Sequence, residues 1–162
     1  MERSVSAYAA MSATDILGGI ATKLGPMDDV IENQKSLLIT CQNIANDLQA
    51  SAEAKRNLAS GVPSGLPSLA YMIHTVPNKV KYFNMLKEHV DCYKDLADML
   101  RGELNSNSRN LCDPDFLGRV VKLQQKTDQL QAHLNSAIGE TGRLYGTADA
   151  LSRQLHGKIT KC

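Results

Sequence analysis

The side chains best suited to chemistry in this 162-residue chain are its four cysteines and four histidines, and their spacing limits what they could do. Cys41, Cys92, Cys112 and Cys162 stand far apart, with no C-x-x-C pair to seed a zinc site or a redox dithiol. His89 and Cys92 fall at i and i+3, one helical turn apart, but two ligands leave a tetrahedral ion half-coordinated. No metal or other cofactor is therefore expected, and the cysteines read as free thiols of a reducing compartment. His74, His89, His133 and His156 are scattered along the chain rather than set beside a nucleophile. The stretch "GVPSG" lacks the G-x-S-x-G spacing of a nucleophile elbow, and "GGIATKLG" lacks the G-K-[ST] that grips phosphate and magnesium. No catalytic residue is assigned, and the chain is expected not to be an enzyme.

Composition narrows the partners. Lysine and arginine total 18 against 17 aspartate and glutamate, interspersed to a net charge of +1, so nucleic acid is not an expected partner. Five tyrosines and two phenylalanines, with no tryptophan, are few rings for a compact core. No run approaches the roughly 18 to 20 apolar residues that a membrane span requires. In "MERSVSAYAAMSATDILGGIATKLG" the apolar run is broken by Ser4, Ser6 and Ser12, a poor secretory signal, and Arg3 stands nearly alone for a mitochondrial presequence. A cytoplasmic protein is expected, with a flexible or weakly helical N-terminus over residues 1–26.

The remaining information lies in apolar stripes. Met27, Val30, Gln34, Leu37, Cys41, Ile44 and Leu48 follow 3,4 spacing after Pro26, a proline tolerated at a helix start, with Asp28 and Asp29 matching the positive helix end. A helix over 27–58 follows. Gly61, Pro63, Gly65, Pro67 and Pro77 then break the pattern, with Leu69, Met72 and Ile73 on a short intervening helix. Phe83, Leu86, Val90, Tyr93, Ala97, Leu100 and Leu104 resume it over 78–104, with Asn78 as the expected N-cap. Asp113, Pro114 and Asp115 read as cap, first-turn proline and dipole-matched acid of a third helix over 114–157.

The third stripe runs Phe116, Val120, Leu123, Thr127, Leu130, Leu134, Ala137, Thr141, Leu144, Ala148, Leu151 and Leu155. Forty-odd helical residues span on the order of 60 Å, too long for a compact globule of this size. The expected fold is all-α, an elongated antiparallel coiled coil or three-helix bundle with a long C-terminal helix, filling a domain over 27–162. Gly139, Gly142 and Gly146 fall off that stripe, marking either a weak point of the helix or a face for close contact. Apolar surface beyond the intramolecular packing would need another chain to cover it. The expected partner-binding residues are Leu123, Leu130, Leu134, Leu144, Leu151 and Leu155, with Phe83, Leu86, Val90 and Leu100 opposite them.

In "TDILGGIATKLGPMDDVIENQKSLL", Asp15, Leu17, Ile20, Leu24 and Gly25 precede a helix with Glu32, Lys35 and Leu37; "VPSGLPSLAYMI" is an apolar-proline linker feeding a long helix; and "ETGRLYGTADALSRQL" is a C-terminal run of acidic, Leu, Tyr, then Leu-Ser-basic-Gln-apolar residues. In residue order and spacing these three segments, spread from Thr14 to Leu155, resemble the dynactin subunit 3 family, small helical subunits of the dynactin shoulder. The resemblance implies a non-catalytic, cytoskeleton-associated subunit without nucleotide or metal. It would assemble by coiled coils with dynamitin and the large microtubule-binding subunit, attaching that arm to the actin-like filament and supporting dynein-driven transport. Two alternatives remain: a subunit of another small helical complex of the lysosome-positioning, tethering or kinetochore type, and a self-contained bundle holding a small ligand or lipid between its helices.

Overall fold

A computed structural model of the chain describes residues 2–51, 56 and 65–160, with side chains described over 13–51, 56, 69–107 and 109–155. The fold is all-α: α1 (Glu2–Leu24), α2 (Met27–Ala50), α3 (Gly65–Ser106), the 3-10 turn η1 (Ser108–Cys112) and α4 (Pro114–Thr160), with no strand among the described residues.

Helix α1 runs through the segment expected to be flexible or weakly helical. Ala13, Leu17, Ile20 and Leu24 are all buried, at 4,3,4 spacing on one face, while Gly18 and Gly19 lie on the exposed side. Each helical glycine costs about 1 kcal/mol, but full burial of a leucine or isoleucine returns roughly 1.5 to 3, so packing overrides weak local propensity. Pro26, lacking an amide, separates α1 from α2. The junction is closed by Gly25 N–H donating to the Ala21 carbonyl at 3.0 Å, and a Cβ on Gly25 would sit 3.3 Å from that same oxygen.

The buried face of α2 is Met27, Ile31, Leu38, Cys41, Ala45 and Leu48, whereas Val30, Leu37 and Ile44 are only half-buried. This corrects the stripe read from sequence, which took Val30, Leu37 and Ile44. Both flanks of Gln34 are apolar, so spacing within α2 alone does not choose between them. Helix α2 ends at Ala50, with Ser51 outside it. The end expected near 58, and the Gly61 and Pro63 part of the linker, lie outside the described residues.

Helix α3 begins at Gly65 rather than at 78 and carries Pro77 in its interior. Losing one amide and crowding the preceding turn costs about 3 kcal/mol. Leu69, Met72, Val76 and Phe83, all buried on the two sides of Pro77, offset that cost. Asn78 is accordingly not an N-cap; its side-chain amide donates to the His74 carbonyl at 3.4 Å.

Helix α4 starts at Pro114, where Asp113 Oδ1 accepts from the Asp115 amide at 3.1 Å. All twelve stripe positions from Phe116 to Leu155 are buried. The two threonines among them, Thr127 and Thr141, donate to the carbonyls of Leu123 and Ala137 at 2.8 and 3.0 Å, so neither hydroxyl is orphaned.

The chain divides into two compact units. The first comprises the chain up to Val30 and Met85–Leu134. Its helices are cross-tied by charge: Lys23 to Asp128 at 2.5 Å, Lys94 to Asp28 at 2.5 Å, and Arg101 Nη2 donating to the Leu17 carbonyl at 3.2 Å. Helix α1 also runs against η1. The second comprises Ile31–Asn84 and the chain from Asn135 onward, where Lys79 of α3 pairs with Glu140 of α4.

Candidate interaction surface

The ten side chains expected to meet a partner are instead core. Leu123, Leu130, Leu134, Leu144, Leu151, Leu155, Phe83, Leu86, Val90 and Leu100 are each at most 5% exposed. Leu86, Val90, Leu100, Leu123, Leu130 and Leu134 belong to the first unit; Phe83, Leu144, Leu151 and Leu155 belong to the second. The strongest 3,4 stripes of α3 and α4 are the ones the chain buries on folding.

Surface apolarity lies on other faces. Met85 and Met99 on α3 are 43% and 55% exposed, Ile39 on α2 is 54%, Tyr71 is 60% and Val121 is 38%. Met85 and Met99 belong to a second row on α3, Met85–His89–Cys92–Leu96–Met99, spaced 4,3,4,3 beside the core stripe and fully or partly open along its length. His89 meets Tyr93 edge-on, and its Nδ1 lies 2.9 Å from the Met85 carbonyl.

In the first unit this row opens into an apolar groove of about 160 Å³ between α3 and α4, lined by Leu96, Met99, Leu100 and Leu123. Its α4 rim is basic: Arg119, Lys122 and Lys126, at 3,4 spacing. Arg119 pairs with Glu103 at 2.9 Å and lies over the Phe116 ring at 5.6 Å. Lys122 and Lys126 have no ion-pair partner among the described residues.

A second cleft, about 340 Å³, lies between α3 and α4 in the second unit, bordered by Tyr71, Thr75, Lys79, Glu140, Arg143, Leu144 and Thr147. Lys79 and Glu140 already satisfy each other there, and Thr147 donates to the Arg143 carbonyl. Its wall is mostly polar, unlike the apolar pocket with a few convergent polar groups that marks a small-molecule site.

Among the described residues no group of three or more His, Cys, Asp and Glu converges as a metal site would require. His89 and Cys92 are both exposed members of the α3 row. Cys41 is buried, and burial pushes its thiol above the ordinary range. No helix among the described residues is long and apolar enough to cross a membrane. Gly142 and Gly146 face open space and Gly139 meets only the end of the Arg143 side chain, so no described part of the chain packs closely there.

No protein-family model, curated protein or solved structure matches the chain.

Proposed function

We propose that the chain is a non-catalytic structural subunit that docks other helical proteins, with its own long helices packed as coiled-coil segments. The observation that carries this reading is the groove of Leu96, Met99, Leu100 and Leu123 beneath the Lys122 and Lys126 rim. Apolar side chains left open in a helical row beside charges of one sign suit the apolar face of an incoming helix. The assembly we propose is the dynactin shoulder, on the strength of the sequence resemblance. In that setting the subunit helps join the microtubule-binding arm to the actin-like filament, in the cytoplasm, and supports dynein-driven transport.

Affinity purification of the tagged chain from its native cells in gentle salt, with mass spectrometry of the eluate, tests both levels. Dynamitin, the large microtubule-binding subunit and actin-related protein are the expected co-purifying chains. A different set of small helical proteins would keep the docking role and discard the shoulder. Recovery of the bare chain would overturn the subunit reading.

A further inference from the structure

The groove is bounded on both sides by charge, and the two sides are opposite in sign. On α3, Glu88, Asp91, Asp95 and Asp98 form an exposed acidic row at 3,4,3 spacing. At about 100° per residue this row lies on the far flank of the Met85–Met99 row from α4. On the near flank stand Arg119, Lys122 and Lys126 of α4. The second charged row of α3, Lys87, Lys94 and Arg101, faces away from the groove: Lys87 and Lys94 reach Asp28, Lys87 also reaches Asp91 at 3.8 Å, and Arg101 reaches the Leu17 carbonyl, so Asp95 and Asp98 carry the acidic side beside the groove. One surface of the first unit thus reads, across its width, acidic row, apolar row, basic row.

Such a surface is complementary to itself under only one kind of twofold axis. If the axis lies parallel to α3, the second copy is turned over side to side. Its acidic row then falls above the first copy's basic row, and the reverse. If the axis crosses α3 at right angles within the interface plane, acid faces acid along the whole seam. Isologous contact is the usual geometry of a homodimer, and here only the parallel version joins apolar burial to charge pairing.

We propose that this face is the site where a second copy of the chain docks, α3 against α3 in parallel, apolar row on apolar row. The axial level is also specified. Leu96 and Met99 share the groove with Lys122 and Lys126, so Asp98 and Asp95 of one copy come level with Lys122 and Lys126 of the other. Along the axis Met85, Cys92 and Met99 each meet their own counterparts. The proposal rests on reading the groove as a docking surface and is independent of the shoulder assignment.

Sedimentation equilibrium of the purified full chain over a wide dilution series, at low and high salt, tests it through charge reversal. The wild type is expected to dimerise reversibly, more weakly in high salt. Lys122→Glu with Lys126→Glu, and separately Asp95→Lys with Asp98→Lys, should each weaken the dimer by more than about tenfold, whereas the fourfold variant should regain it. All four side chains are exposed, and circular dichroism checks that each variant keeps its helicity. A short bis-maleimide should join copies through Cys92, with Cys112 and Cys162 replaced by serine, and should fail after Cys92→Ser. A wild type monomeric at every concentration overturns the proposal and leaves the groove to a helix of another protein. So does a dimer indifferent to both reversals, or a fourfold variant that stays monomeric. Monomeric wild type with dynactin chains co-purifying would sink the self-docking alone; a dimer recovered without other proteins would sink the subunit reading alone.

Discussion

Asp28 is where two lysines of α3 meet the start of α2. Lys94 Nζ donates to Oδ2 at 2.5 Å and Lys87 Nζ to Oδ1 at 3.4 Å. The hydrogen bond from Lys94 is the main cause holding the carboxyl below its ordinary value; partial burial opposes it, and the charges of Lys94 and Lys87 reinforce it. A depressed native value means that the unfolded chain takes up the proton first. The stabilisation is therefore fully present above the ordinary aspartate value of about 4 and is lost as pH falls through the native one. Asp28→Asn should cost about 1 kcal/mol near neutrality, a figure discounted for the partial exposure of all three groups, and should flatten the acid limb of the stability curve. Urea unfolding at pH 7 and at pH 3 checks this. A difference between variant and wild type that persists undiminished at pH 3 would assign the effect to packing rather than to the ion pairs.

At the scale of helices, legibility tracked how much of the signal was local. Asp113–Pro114–Asp115 announces a helix start by its own chemistry, and α4 begins at Pro114. Its twelve-position stripe is readable because one flank is polar at every position but Ala150. Helix α2 was ambiguous because Val30, Leu37 and Ile44 compete with Ile31, Leu38 and Ala45 for the same neighbours. The resolving signal sat in α1: Ala13, Leu17, Ile20, Leu24 and Met27 continue at 4,3,4,3 spacing straight into Ile31, across Gly25 and Pro26. The serines, alanines and paired glycines of the N-terminus hid that stripe, and Pro77 hid the first turns of α3, since tertiary burial decided both. The exposed Met85–Met99 row of α3 is hidden in the sequence by the stronger core stripe beside it. The same logic predicts the behaviour of the α4 glycines. Gly142→Ala and Gly146→Ala add a Cβ into open space, so each should raise stability by roughly 0.5 to 1 kcal/mol. Chemical denaturation of the purified chain measures this. If either alanine instead abolishes co-purification of a partner while raising stability, the bare face is a contact surface.

Across the molecule the cysteines report two different events. Cys41 is 0% exposed on the inner face of α2, and burial raises its thiol, so both access and ionisation oppose its reaction. Cys92 and Cys112 are exposed. With Cys162, which lies outside the described residues, replaced by serine, a maleimide in dilute native protein should label Cys92 and Cys112 quickly. Cys41 should react only as denaturant opens the second unit, and its rate against denaturant then gives the free energy of that opening. Raising the protein concentration separates the second event from the first. Docking of a second copy along α3 shields Cys92 but leaves Cys112, beyond the seam in η1, as reactive as before. Slowing of Cys92 alone thus ties the surface row to self-association, whereas equal slowing of both thiols points to nonspecific association, and fast labelling of Cys41 in native buffer contradicts the buried face of α2.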